Sequence, residues 1–155
     1  MLRVKGLVFF RVLLVLGVLF GCQHGPESGL QEIHMPIGNQ QFTLELALTP
    51  SEQETGLMHR DHLDADHGML FIFSDEKERT FWNHDVSFPL DLVFLDAGQR
   101  VVSIKRLETY SEKDVSSDVP AEYAIELNAG MANQTGLKIG TQLAIPADAL
   151  RASAR

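Results

Sequence analysis

A succession of short apolar runs, each of strand length and each ended by turn residues, constrains the fold of this chain most strongly. Residues 41–48 alternate apolar and polar side chains, which is the period of a strand with one buried face. Residues 69–73 and 90–95 are almost continuously apolar, as are strands that are buried on both faces. Three further segments have strand character and cover residues 100–107, 121–127 and 143–145. The pattern predicts a mostly β fold with one or two short helices, built as a small, mostly antiparallel barrel-like or curled sheet.

Two short helices are predicted between the strands. Thr49 is a good N-cap residue, and Pro50 suits the first position of a helix. Glu52 can reach back to Thr49 in a capping box, so a helix is expected over residues 50–57. Residues 128–134 predict one further helical turn.

The N-terminal segment has the parts of an export signal. Arg3 and Lys5 precede an apolar core at residues 12–20, which is too short for a helix of about 20 residues that spans a bilayer. The sequence Leu19-Phe20-Gly21-Cys22 resembles the bacterial lipobox, which implies cleavage before Cys22 and lipid attached to it. The alternative is an uncleaved anchor helix in which Cys22 is an ordinary thiol.

This interpretation divides the chain into four parts and gives it a location. We predict a signal peptide at residues 1–21, lipidated Cys22 with a tether at 22–32, one domain at 33–148 and a frayed tail at 149–155. Within the domain, the polar segment 109–119 is expected to form a mobile loop. Gln23 rather than Asp follows the cysteine, which favours anchoring in the outer membrane facing the periplasm.

Composition excludes several kinds of partner. The net charge is −8 for the whole chain and about −11 without the three basic residues of the signal, so nucleic-acid binding is not expected. Cys22 is the only cysteine, so no intrachain disulfide can form. We predict a membrane partner through the lipid on Cys22.

Several ordered motifs occupy most of residues 41–145. They are Gly56-Leu57-Met58-His59-Arg60, Gly68-Met69-Leu70-Phe71-Ile72-Phe73, Phe81-Trp82, Pro89-Leu90-Asp91-Leu92-Val93-Phe94-Leu95-Asp96, Glu122-Tyr123-Ala124-Ile125-Glu126-Leu127-Asn128-Ala129-Gly130 and Gly136-Leu137-Lys138-Ile139-Gly140. This succession resembles the family called domain of unknown function 192. The resemblance implies a small β-rich, barrel-like domain, often found behind a signal peptide, and it implies no established activity or catalytic residue.

The chain departs from the family pattern in two places. The family usually continues Phe-Trp with Met-Lys-Asn-Thr, whereas this chain has Asn83-His84-Asp85-Val86. The proline-rich stretch that is usual in the family is replaced by residues 108–118. If the first segment contacts a ligand, the departure implies a different ligand preference.

The candidate ligand-binding residues surround the single tryptophan. They are Arg60, Trp82, His84, Asp85 and Asp91. An aromatic face beside hydrogen-bonding groups suits a sugar or another flat polar ligand. Asp91 lies inside an apolar run, so if it is buried it needs a partner, for which Arg60 is suitable. The alternatives are that Asp91 faces water, that Arg60 and Asp91 form a structural clasp, and that Trp82 belongs to the core.

A cluster of histidines gives a weak candidate metal site. His59, His62 and His67 lie with three aspartates within residues 59–67, and imidazole and carboxylate are suitable zinc ligands. The spacing matches no recognised helical metal motif, and Arg60 would oppose a cation. A solvated polar loop is the alternative, and we predict no metal or other cofactor.

These observations favour a non-enzymatic envelope domain that binds a small molecule or another envelope protein. No nucleophile elbow, P-loop or nucleotide fingerprint is present. One alternative is a hydrolytic or metal-dependent enzyme that uses Asp and His groups, for example Asp85 with Asp91. Another is a structural or chaperone-like module that recognises strand edges or unfolded chains.

Overall fold

The computed structural model describes residues 28–154, which form six strands and three short helices. The elements are β1 (Glu32–Ile37), β2 (Gln40–Ala47), α1 (Pro50–Thr55), β3 (His67–Asn83), β4 (Leu90–Leu95), β5 (Val101–Leu107), β6 (Ser111–Asn128), α2 (Met131–Gln134) and α3 (Ala147–Ser153). The predicted mostly β fold is confirmed, with one helix more than expected. The predicted signal peptide and Cys22 lie outside the described residues. Within residues 28–154, no helix has the length and apolar character that crossing a membrane requires.

The six strands form one open, mixed sheet in the order β1-β2-β3-β6-β4-β5. Neighbouring strands are antiparallel except for β2 and β3, which are parallel. Strands β1 and β5 lie at opposite edges, so the sheet that the described residues form does not close into a barrel. Near the β5 edge, Arg100 pairs in an isolated bridge with Gln142 from the C-terminal segment, a position that β1 would occupy in a closed barrel.

Hydrophobic side chains cover both faces of the sheet, which explains why its central strands are apolar throughout. In β4, Val93 and Leu95 belong to a cluster that includes residues of α2 and α3. Leu92 and Phe94 belong to a second cluster, which includes Phe71. Because side chains alternate along a strand, the two clusters lie on opposite faces of the sheet.

The two longest strands extend beyond the core as a two-stranded arm. Strand β3 continues past the predicted strand 69–73 to residue 83, and β6 begins at residue 111, inside the segment 109–119 that was predicted to be a loop. Residues 77–83 pair with residues 111–121, with several register shifts. The loop prediction is wrong because this arm is mostly exposed, and its polar residues leave no apolar alternation to reveal a strand.

Helix α1 follows its sequence signals closely. The Thr49 hydroxyl accepts a hydrogen bond from the Glu52 backbone N–H, and the Glu52 carboxylate accepts one from the Thr49 N–H at 2.8 Å. The predicted capping box is therefore present. The helix ends at Gly56, whose φ of +49° is a conformation that L residues rarely adopt.

The ends of the described chain are more ordered than the sequence predicts. Strand β1 begins at Glu32, where a tether was expected to end. Residues 149–153, expected to fray, belong to α3, whose Ala149 is fully buried. Leu143 and Ile145 are buried in the core, but they do not form the predicted last strand.

Candidate functional site

A cavity of about 410 Å³ lies where the arm leaves the sheet, on the face that carries Phe71. Its walls come from the end of α1 and the following turn, from β3 and from β6. The apolar part of the lining includes Leu57, Phe71, Phe73, Phe81 and Trp82. Charged side chains also line it, namely Glu54, Lys77, Glu78, Arg79 and Glu126. A concave volume of this size that combines aromatic rings with polar groups is typical of small-molecule sites. We call it the aromatic cavity.

Three phenylalanine rings give the aromatic cavity a defined wall. The Phe81 ring centroid lies 5.0 Å from that of Phe71 and 6.3 Å from that of Phe73, and both contacts are edge-to-face. The Arg79 guanidinium lies 3.9 Å from the Phe73 ring centroid and also bonds the Asp75 carboxylate at 2.8 Å. Edge-to-face and cation–π contacts fix the orientation of these rings.

Glu126 lies under the aromatic cavity, on β6 between β3 and β4. The residue is 4% exposed, and its Oε2 atom has no hydrogen-bond partner in the protein. Burial raises the pKa of Glu126 to about 8, against the opposing charge of the Arg60 guanidinium. At pH 7, which is below this pKa, the protonated form of the side chain predominates, and this form can donate a hydrogen bond.

Gly56 lies beside this acid. A Cβ atom at Gly56 would lie 3.7 Å from Glu126 Oε2 and 3.5 Å from Phe71 Cζ, which are ordinary contact distances. Because glycine has no Cβ, no side chain at this position stands between the backbone of the turn and the carboxyl group.

Asn83 supplies a second polar group to the same cavity. Its Nδ2 donates to the carbonyl oxygens of Glu108 at 2.8 Å and Phe88 at 3.1 Å, which fixes the orientation of the amide. The residue is 1% exposed, and its Oδ1 has no partner. Within residues 28–154, Asn83 Oδ1 and Glu126 Oε2 are the buried side-chain polar atoms without a partner, and both residues line the aromatic cavity.

A second buried glutamate, Glu45, has the partners that Glu126 lacks. Arg60 donates to both carboxylate oxygens, with Nη2 at 2.8 Å from Oε2, and the Ser28 hydroxyl donates as well. Although burial acts to raise it, these hydrogen bonds hold the pKa of Glu45 below its ordinary value. Arg60 also lines a second cavity of about 470 Å³, which shares Gly56 and Met58 with the aromatic cavity. The two cavities therefore adjoin at this turn.

Two of the five predicted ligand-binding residues line the aromatic cavity. Trp82 is 48% exposed at its edge, so it does not belong to the core. His84 also lines the cavity, and its ring lies 3.4 Å from the Asp85 carboxylate and 3.7 Å from that of Glu112. Asp85 is exposed and does not line the cavity.

Arg60 and Asp91, predicted as partners, are not brought together. Arg60 binds Glu45, whereas Asp91 binds Arg106 at 2.7 Å and accepts the Ala132 backbone N–H at 2.9 Å. Asp91 is buried on the sheet face that α2 covers, opposite the aromatic cavity. The predicted pair is therefore wrong, and Asp91 joins β4 to β5 and α2. The proposed carboxylate pair of Asp85 with Asp91 is likewise not assembled.

The three histidines of the predicted polar loop are dispersed. His59 lines the second cavity, His62 lies 3.6 Å from Asp64, and His67 lies 2.8 Å from Asp66. In the part of the chain that the structure describes, no three His, Cys, Asp or Glu side chains are placed to hold one metal ion.

The sequence pattern alone does not single out Glu126. Alternation in residues 121–127 assigns Tyr123, Ile125 and Leu127 to a buried face, which leaves Glu126 on the supposed polar face. The available signal was indirect: β3 and β4, between which β6 lies, are apolar on both faces. A glutamate on a strand between two such neighbours is buried whichever way it points.

Solved structures of two other proteins are similar to this chain over most of its length. One, from Sinorhizobium meliloti 1021 and described as "a putative transcription regulator", is 32% identical with a TM-score of 0.67 and covers 73% of this chain and 91% of that chain. Another, a protein of unknown function from Novosphingobium aromaticivorans DSM 12444, is 31% identical with a TM-score of 0.72 and covers 78% of this chain and 90% of that chain. Among curated proteins, none matches. The sequence profile of DUF192, described as "Uncharacterized ACR", matches residues 33–145, and the chain therefore belongs to the DUF192 family.

Proposed function

We propose that this chain is an exported, lipid-anchored envelope protein whose domain binds a small, largely apolar ligand in the aromatic cavity without transforming it. One observation carries the binding function. The two buried side-chain polar atoms without a partner in residues 28–154, on Glu126 and Asn83, belong to residues that line one cavity with aromatic walls.

Burial without a partner has a free-energy cost that a ligand can offset. A buried donor or acceptor that lacks a hydrogen bond costs about 1–3 kcal/mol. A ligand that supplies the missing bonds recovers this energy on binding, in addition to the apolar area that it buries against the rings. The same arrangement rejects a molecule of similar shape that lacks the polar groups, since the protein atoms then stay unpaired.

Residue-resolved NMR tests the binding function. The full chain, labelled with ¹⁵N, is titrated with a library of small aromatic fragments while the amide signals and the Trp82 indole N–H are recorded. We expect saturable shifts at Gly56, Phe71 and Trp82, with Ala132 on the opposite face of the sheet as an internal control. Trp82→Ala is expected to weaken binding several-fold, whereas Tyr110→Ala, which removes an exposed ring outside the cavity, leaves it unchanged. Fragments that shift only Ala132 and its neighbours would contradict the proposal.

The lipid anchor is tested separately from the cavity. Palmitate labelling in intact cells should mark the protein, and Cys22→Ser should abolish the label while Gln23→Ala retains it. Density-gradient fractionation should place the protein in the outer membrane, and Gln23→Asp should move it to the inner one. Unchanged labelling of Cys22→Ser would remove the basis for the anchor.

A second candidate function follows from the raised pKa of Glu126. A carboxylic acid that stays protonated at neutral pH can act as a general acid toward a bound substrate. Recovery of a bound compound in chemically changed form, at a rate abolished by Glu126→Gln, would favour an enzyme over a binding module. The regulator description of the Sinorhizobium protein does not extend to nucleic-acid binding by this chain, because its net charge of −8 opposes a phosphate backbone.

A further inference from the structure

The polar groups of the aromatic cavity also define the chemistry of its ligand, an inference that rests on the proposed binding function. We propose that the ligand is a flat, uncharged molecule that carries a hydrogen-bond acceptor for the Glu126 carboxyl group and a hydrogen-bond donor for Asn83 Oδ1. A carboxamide or lactam on an aromatic or similarly apolar body is the simplest chemistry that offers both.

The hydrogen-bond acceptor of the ligand is inferred from the protonation state of Glu126. Its carboxyl group is enclosed by β3, β4 and the Gly56 turn, and Arg60 is the charged group whose field acts on it. In this surrounding the side chain keeps its proton and has one O–H to donate. Glu126 and Gly56 both line the cavity, and no side chain at Gly56 covers the acid, so the ligand oxygen is expected to reach the acid from this side.

The hydrogen-bond donor of the ligand is inferred from the orientation of the Asn83 amide. Both hydrogens of its Nδ2 face carbonyl oxygens of the protein, so the amide cannot reverse without losing two hydrogen bonds. Only Oδ1 is left for a ligand, and a carbonyl oxygen accepts but never donates. A ligand N–H or O–H is therefore the matching group.

Guanidinium groups disfavour a cationic ligand beside Glu126. Arg79 lines the aromatic cavity and carries a positive charge, and the charge of Arg60 also acts on Glu126. Two carboxylates, Glu54 and Glu78, line the cavity as well, but both are exposed, so water screens their charge. A ligand cation beside the buried, protonated Glu126 would therefore meet two positive charges without a buried counter-charge.

An anionic ligand is disfavoured for a different reason. The Nε of Arg79 donates to Ala121 O at 3.0 Å, and its Nη2 bonds the Asp75 carboxylate, so its charge is already matched. Lys77 also lines the cavity, but it is exposed and lies 3.4 Å from the same carboxylate. A carboxylate placed in the cavity would leave water for phenylalanine rings and would face the acceptor oxygen of Asn83. Burying a charge without a counter-charge is far more costly than burying a neutral amide that is hydrogen-bonded.

Four probes of nearly equal size test this inference on the full chain. Benzamide, benzamidinium and benzoate differ in charge, and acetophenone keeps the acceptor of benzamide but lacks its donor. Each probe is titrated at pH 7 while the Gly56 amide and the Trp82 indole signals are followed. We expect benzamide to bind at least about tenfold more tightly than either ion, and about two- to tenfold more tightly than acetophenone, the range for one neutral hydrogen bond.

A matched pair of variants tests the acid directly. Glu126→Gln keeps an N–H donor at this position, so benzamide affinity should stay within about threefold. Glu126→Met keeps the size and removes the donor, so affinity should fall by about tenfold, equivalent to one hydrogen bond at the strong end of the range. If Glu126→Met does not fold, the side-chain ¹³C carboxyl signal of Glu126 in the unmodified chain replaces it. That signal should shift with benzamide while keeping the position of a protonated acid.

The outcomes separate this inference from the proposed function. Preference for benzamidinium or benzoate, or equal binding of all four probes in the cavity, overturns the ligand chemistry but leaves a binding site. Full benzamide affinity in Glu126→Met does the same. Absence of any probe-induced shift at Gly56 and Trp82, together with no hit from the larger fragment library, contradicts the binding function itself.

Discussion

The two buried glutamates of this domain, Glu45 on β2 and Glu126 on β6, have the same side chain and opposite protonation behaviour. The pKa of Glu45 is lowered by hydrogen bonds from Arg60 and Ser28, which outweigh burial, whereas burial without such bonds raises the pKa of Glu126 to about 8. Arg60 acts on both residues, through hydrogen bonds to Glu45 and through its charge on Glu126. Direct hydrogen bonds therefore decide which of the two buried carboxyl groups is ionised and which keeps its proton.

The difference also reverses the dependence of stability on pH. Glu45 contributes stability above its ordinary pKa of 4.5, and this contribution is lost as the pH falls through its lower folded-state pKa. Glu126 binds its proton more tightly in the folded protein than in the unfolded chain. Its contribution is fully present below pH 4.5 and is lost as the pH rises toward 8.

The largest expected effect is therefore on the pH dependence of Glu126→Gln. A pKa raised from 4.5 to about 8 corresponds to roughly 5 kcal/mol, lost at about 1.4 kcal/mol per pH unit between those values. We expect the free energy of unfolding of Glu126→Gln, relative to the unmodified chain, to increase progressively from pH 4.5 to pH 8. Urea denaturation at several pH values measures it, with the exposed Glu108→Gln as the control that shows no such trend.

The next effect concerns the partnered glutamate. Arg60→Met leaves Glu45 buried without its counter-charge, which should lower the free energy of unfolding at pH 7 by about 3–5 kcal/mol. The double variant Arg60→Met with Glu45→Met removes both charges and should recover most of this loss. Arg151→Met, on the exposed side of α3, should change stability by less than about 0.5 kcal/mol. Equal stability of the single and double variants would show that the pair is not coupled as described.

A smaller effect is expected at Asp91, which is buried and partnered but lies on the other face of the sheet. Asp91→Asn keeps an oxygen for the Ala132 N–H and loses the charged partner of Arg106, which is itself 44% exposed. We expect a loss of about 1–2 kcal/mol in thermal or urea unfolding. Benzamide affinity should stay unchanged. A loss of affinity in a variant that is still folded would place Asp91 in the binding site.

The smallest effect is expected at His84, whose contacts are exposed. Its ring lies 3.4 Å from Asp85 and 3.7 Å from Glu112, and all three side chains are at least half exposed. Exposed ion pairs contribute little, so His84→Ala should change the free energy of unfolding by less than about 0.5 kcal/mol. A large loss measured by urea denaturation would mean that this edge of the arm is structural.

The fold could be predicted from the sequence where local sequence signals and the burial of side chains indicate the same element. The capping box of Thr49 and Glu52 predicts the start of α1, and the apolar runs 69–73 and 90–95 predict central strands. The arm could not be predicted, because residues 109–119 are mostly polar and owe their strand conformation to pairing with β3. Whether the sheet closes depends on which edges meet, a long-range property that no short segment encodes.

Only part of the candidate site could be predicted from the sequence, for the same reason. The single tryptophan and three of the four residues at which the chain departs from the family pattern, Asn83, His84 and Val86, line the aromatic cavity. Glu126 was missed because its burial comes from strands far away in sequence. Arg60 was paired with the wrong carboxylate because alternation along β4 places Asp91 on the other face of the sheet.

A ¹³C NMR titration of the Glu126 side-chain carboxyl group is the most direct test of a neutral acid under the aromatic cavity. We predict a midpoint near pH 8 for this signal and, in the same spectra, a midpoint for Glu45 below its ordinary value. A Glu126 midpoint near 4.5 would mean that the carboxyl group is ionised at neutral pH. The acid would then be no hydrogen-bond donor, and the contrast between the two glutamates would be lost.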